Sequence, residues 1–186
     1  MRAWLAKSVP NAIIARLSGS SLIDAFEAAK QVGNVDGNAL AKQLINVLRI
    51  GRRPFNRAAA AYAMQAVSSP SVINALERTV RNKSENPDVR GHAAETLVHR
   101  HRKSTHSLLL KTLQDPSKDV RFWCAFALGQ MREKRAVPIL RLLLSDHRQV
   151  RTFHSVAKEA ADAITEIEKH KSGQRCLYCV RSARSQ

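Results

Sequence analysis

The sequence is short of several residue types. Among 186 residues it has three cysteines, two tryptophans, two tyrosines and five phenylalanines, and 15 Asp and Glu stand against 31 Lys and Arg. Three cysteines, two of them (Cys176 and Cys179) near the end of the sequence, make no disulfide framework. A chain of this length can bury a core without one. Apolar runs such as Ala58 to Met64 are far too short to cross a bilayer. The opening residues, MRAWLAKSVPNAIIARL, are broken by Lys7 and Arg16 and hold no secretory apolar stretch. Together these absences predict a soluble cytoplasmic protein with no membrane partner, and no motif assigns it a cofactor or a complete metal site. Alternating Val, Ile and Thr long enough for a strand are also missing, which predicts an all-α fold.

What is abundant is positive charge, a formal net +16. Residues 169–186, KHKSGQRCLYCVRSARSQ, carry five basic residues and no acidic one. They have no helical period and read as a flexible basic tail beyond a folded unit of residues 1–168. Such a tail suits a polyanion, or it serves solubility alone. Cys176 and Cys179 form half of a zinc site, with His170 as a nearby extra ligand, but a structural site needs four donors.

The chain repeats. Arg57, Arg90, Arg121 and Arg151 open the similar strings RAAAAYAM, RGHAAETL, RFWCAFAL and RTFHSVAK, at spacings of 30 to 33 residues. A fixed period of this size signals stacked helical units. Three and four residues after the arginine come small side chains: Ala60 and Ala61, Ala93 and Ala94, Cys124 and Ala125. Seven residues after it comes a large one, Met64, Leu97 or Leu128. These offsets share one helical face, where small residues let neighbouring helices approach closely. A turn and a second helix follow, giving a helix A and a helix B per unit. The links NPDVR, PSKDVR and DHRQVR supply caps and prolines at the helix starts. Residues 54–168 carry clear repeats and residues 1–53 weaker ones, with helix B at 9–18, helix A at 21–32 and Ile23 in the arginine's place. A last helix is predicted over 148–168, starting at the Arg151 link.

At DVRFWCAFALGQMREKRAVPILRLLLSD (119–146), DVRGHAAETL (88–97) and VRTFHSVAKEAADAI (150–164) the chain resembles the HEAT-like repeat family, in the short form of phycobilisome lyase subunits. The resemblance implies a right-handed α-solenoid of stacked antiparallel helix pairs with the B helices on its concave side. It also implies that the link residues bridge repeats: Asp88 with Arg90, Asp119 with Arg121, and Arg57 and Arg151 without an acid at the matching place. A guanidinium that joins several acceptors serves this bridging, though the same four arginines could instead contact a ligand.

Members of the family that act as enzymes supply tests. Deoxyhypusine hydroxylases hold iron with His-Glu dipeptides, and this sequence has none. His92 and Glu95, three apart, are a lone pair. His99, His101 and His106 sit in the polar stretch VHRHRKSTH and mark no tetrapyrrole site, so a bilin-lyase-like or chromophore-chaperone role rests on fold analogy. Trp123 reads as core rather than a base-stacking platform. No catalytic residue is assigned.

The expected function is a scaffold or adaptor that binds an acidic protein partner through the helix-B face and a basic edge. The alternative is nucleic-acid binding through that edge and the tail. The candidate contacts are Arg78, Lys111 and Arg141 on the B helices, with Arg100, Arg102 and Lys103, then Arg132, Lys134 and Arg135, in successive turns. Glu77, Glu133 and Asp146 are the interleaved acids that would neutralise such a face.

Overall fold

A computed structural model describes residues 12–31, 37–67, 69–100, 102–151 and 153–169. Residues 12–17 are helical (α1). They are followed by α2 (Leu22–Lys30), α3 (Gly37–Ile50), α4 (Pro54–Ala63), α5 (Pro70–Arg81), α6 (Pro87–Thr96), α7 (Lys103–Thr112), α8 (Lys118–Gln130), α9 (Val137–Leu142) and α10 (Val156–Glu168). Among the described residues there is no strand, only an isolated bridge between Gln149 and Ser155. No helix is long and apolar enough to cross a membrane. Residues 1–11 and 170–186, and so the predicted tail, Cys176, Cys179 and His170, lie outside the described residues, as does His101.

Local chemistry sets the boundaries. Ser21, Ser69, Asn86 and Ser155 each accept a backbone N–H with the side chain at the start of α2, α5, α6 and α10. Pro54, Pro70 and Pro87 open their helices, where the missing N–H would have no helical partner anyway. Helices α4 and α6, each opened by a proline, and α8 begin three residues before Arg57, Arg90 and Arg121 rather than at them.

Helices α2, α4, α6, α8 and α10 form layer A, and α3, α5, α7 and α9 form layer B. The A helices pack directly on one another, neighbour to neighbour, while neighbouring B helices touch far less. Residue size explains the difference. Ala58, Ala59, Ala60, Ala61 and Ala63 of α4, Ala93 and Ala94 of α6, and Cys124, Ala125 and Ala127 of α8 are all buried. At Gly129 a Cβ would lie 2.8 Å from Ala163 Cα, so α8 and α10 meet backbone to backbone. Small side chains let the layer A helices approach closely, and the larger leucines keep the layer B helices further apart. Leu76, Leu109, Leu113 and Leu140 of the B side complete the core behind layer A.

Two further expectations change. The last helix starts at Val156, not near 148, because the preceding loop is held by Ala157 N–H to Asp146 O at 2.8 Å and Val156 N–H to Arg148 O at 3.2 Å. Arg151 sits in that loop at φ 33°, outside any helix. Ile23 is 74% exposed and does not take the buried place of the repeat arginines.

Candidate interaction surfaces

The repeat arginines separate first from any binding surface. Arg90 is buried and donates to both carboxylate oxygens of Asp115, at 3.1 and 2.5 Å, and to Val80 O. Arg121 donates to Asp146 Oδ2 at 3.0 and 2.6 Å and to Asp115 O. Arg57 donates to both oxygens of Glu85, at 3.0 and 2.7 Å, and to Gly51 O. Each guanidinium reaches back to the carbonyls of the preceding helix-B end or link and forward to an acid of the next link. Asp115 serves two arginines, one with its carboxylate and one with its carbonyl. The planar fork of arginine makes such double attachment possible where lysine could not.

The acids in this ladder are not the expected ones. Asp88 and Asp119 do not meet Arg90 and Arg121. Asp88 instead lies 3.3 Å from the exposed Arg151, and Asp119 accepts a long 3.5 Å bond from Ser117. Two residues before the arginine is the first turn of the same helix, whose side chains point away from the link. Glu85, Asp115 and Asp146 follow their arginines by 28, 25 and 25 residues. That spacing was the available signal, and it lies one repeat further along than the motif suggests. At the first link Asn56 is buried and donates to Leu17 O and Gly19 O, taking no acid at all.

Arg100 is also corrected. It is buried and its guanidinium donates to the carbonyls of Met64, Gln65 and Val67, closing the end of α4's last turn. Burial lowers its pKa from the ordinary value. It is a strut rather than a partner contact. Arg135 is exposed but forks onto both oxygens of Glu133, at 2.9 and 2.8 Å. His106 of α7 lies 2.5 Å from the same carboxylate. Arg135 foremost, then His106, holds Glu133 down at about 2 against the effect of burial. Asp146 is likewise held at about 2, by Arg148 first and then Arg121.

Glu77 is buried on α5. Burial pushes its pKa up, but hydrogen bonds from Thr105 at 2.7 Å, Ser104 at 2.9 Å and Arg81 outweigh this and leave it lowered. The three acids expected to neutralise the basic face are thus occupied with internal partners.

The remaining cations do form a pattern. Arg49 on α3, Arg78 on α5, Lys111 on α7 and Arg141 on α9 are all exposed, each in its helix's last turn, where α5 also carries Arg81, paired with Glu77. That position also suits the negative end of the helix dipole. Arg141 lies 3.7 Å from Glu168, whereas Arg78 and Lys111 make no ion pair among the described residues. Arg49 and Arg78 share a groove of about 500 Å³ between α3 and α5, floored by Ile45, Leu48 and Ala75. On the opposite edge Lys103 and Lys134 are exposed, Arg102 donates to Asn74 at 3.3 Å, and Arg132 is half-buried at φ 53°.

Layer A carries an aromatic row. Phe26, Tyr62, His92 and Trp123 follow one another across α2, α4, α6 and α8, at ring separations of 5.2 to 6.2 Å. Trp123 then meets Phe153 at 5.1 Å. Trp123 is half-buried in this row rather than sealed in the core. His92 Nδ1 lies 2.9 Å from Glu95. Among the described residues no group of three His, Cys, Asp or Glu could hold a metal ion. Burial, then Asp115, pushes the Cys124 thiol far up, so it is no nucleophile.

Three comparisons place this arrangement. Residues 80–157 match the family of HEAT repeats. No curated protein matches the chain. A structure of human deoxyhypusine hydroxylase in complex with glycerol is similar at 24% identity and a TM-score of 0.54, over 67% of this chain and 44% of that one. The chain therefore spans less than half of that protein, and the likeness is one of fold.

Proposed function

We propose, from the match of residues 80–157 to the family of HEAT repeats, that the chain is a non-catalytic adaptor whose helix-B face binds an acidic protein segment. One observation carries this. Each B helix presents an exposed cation at an equivalent place, while the neighbouring acids are spent on internal partners. An acidic segment laid across α3, α5 and α7 would meet Arg49, Arg78 and Lys111 in turn, with an apolar side chain in the α3–α5 groove. The splay of layer B favours this, because separated helices leave grooves that a partner's side chains can enter. Rim cations of this kind speed encounter and fix register more than they add affinity. Lys103 and Lys134 extend the field to the other edge.

The test is a fluorescence-anisotropy titration of a labelled Glu- and Asp-rich peptide and, separately, a labelled DNA duplex, across a salt series. Saturable peptide binding that falls at least tenfold in the Arg78→Glu, Lys111→Glu double variant supports the adaptor reading. Tighter binding of the duplex, with the steep salt dependence of phosphate contacts, would overturn it in favour of nucleic acid. So would failure to bind either probe.

A further inference from the structure

A second groove, on layer A, has no part in the adaptor reading. It encloses about 250 Å³ and is lined by Phe26, His92, Trp123 and Phe153, with Asp88 and Asp119 in its walls. Aromatic faces beside carboxylates make a site for a cation carried on an apolar stem. The groove already touches one guanidinium. Arg151 lines it and lies 3.3 Å from Asp88, yet its side chain is 76% exposed. Asp119 has little to hold it beyond the long contact with Ser117. Neither acid is used by the repeat ladder: Asp119 is open to an occupant, and Asp88 would share its carboxylate between an occupant and the exposed Arg151. Phe153 is 48% exposed at the groove's mouth.

The occupant must be basic, and that narrows its source. A chain of net charge +16 repels a basic partner at a distance. A segment of the same chain escapes that penalty, because tethering holds it at about millimolar effective concentration. Residues 175–181, RCLYCVR, have the matching order: arginines at both ends and an apolar middle that includes Tyr178. The seven residue steps from Glu168 to Arg175 reach about 23 Å when extended. Helix α10 is about 20 Å long and begins beside Phe153. The segment can therefore run back along α10 to the groove.

We propose that residues 175–181 of the chain dock in the layer-A groove, with Tyr178 against the aromatic row and Arg175 and Arg181 on Asp88 and Asp119. The docked segment would cover this apolar, acid-walled groove of layer A and leave the cationic B face open.

The test uses the full chain with Trp4→Phe and Cys179→Ser, so that Trp123 is the sole tryptophan and Cys176 the accessible thiol. A nitroxide label on Cys176 should quench Trp123 emission at least twofold. The Asp88→Asn, Asp119→Asn double variant should restore it with an unchanged helical circular dichroism spectrum. If that variant loses helicity, Arg175→Ala with Arg181→Ala gives the same readout without touching the fold. Unquenched emission, or quenching that survives both double variants, overturns the proposal. Quenching that appears when a labelled chain lacking tryptophan is added to an unlabelled one also overturns it, since the occupant is then a second copy.

Discussion

The two layers of this molecule are built from opposite residue sizes, and their surfaces differ in consequence. Layer A is made of alanine, glycine and cysteine at its contacts, so its helices meet closely and carry an aromatic row across them. Layer B is made of leucine, isoleucine and valine, so its helices stand apart, with grooves between them and exposed cations at their ends. Close packing protects the backbone and specifies register. Looser packing gives a surface that a partner can enter. The arginine ladder ties the layers together at each link.

The comparison can be broken most severely at the ladder. Arg90→Ala strands the buried Asp115 carboxylate and leaves Val80 O without its donor. A loss of about 3–5 kcal/mol is expected, read as a fall in the urea midpoint. Asp115→Ala should cost as much, and the double variant less than the sum of the two, because the stranded charge is gone.

Next come the close contacts of layer A. Gly129→Ala places a methyl 2.9 Å from Ala163 Cβ, and the backbones of α8 and α10 must separate. The expected cost is about 1–3 kcal/mol. Addition of one methyl to an exposed B-helix site such as Lys111 should cost nothing measurable, and equal effects would dissolve the distinction between the layers.

Acid should act on the links before the alanine core. Asp146 and Glu133 are held near 2 in the folded chain, well below their unfolded values of about 4. Their contribution is fully present above about pH 5 and is lost as pH falls toward 2. Urea midpoints measured over that range should drop, and less steeply in Asp146→Asn.

The smallest effect is expected on the B face. Arg78→Glu with Lys111→Glu should change stability by less than about 0.5 kcal/mol, while the acidic-peptide affinity falls. A large loss of stability would mean that these cations hold the fold.

Much of the fold was legible in the amino-acid order. The recurring arginines and the paired small residues marked the A helices, because 3.6-residue geometry forces one face to repeat. Capping residues and prolines marked the starts of α4, α6 and α8 to within a few positions, but not that of α10, which the loop at 146–148 delays to Val156. The weaker N-terminal helix A, expected at 21–32, was also placed close to α2. The candidate surface was less legible. Arg100 and Lys103 are three residues apart in one basic turn, yet one is a buried strut and the other is exposed. Charge alone does not say which carbonyls a guanidinium will reach. The ladder acids were hidden for a similar reason: the nearest acid in sequence, Asp88 or Asp119, points away, while Asp115 is brought back by a whole helix pair.

The sequence by itself determined the period, the helical class and the small-residue layer, since these follow from local spacing and side-chain volume. Tertiary structure alone decided how closely each layer packs, which acid meets each arginine, and which cations stay free. Those depend on distances between residues some 25 or more positions apart, which are set only when the repeats stack.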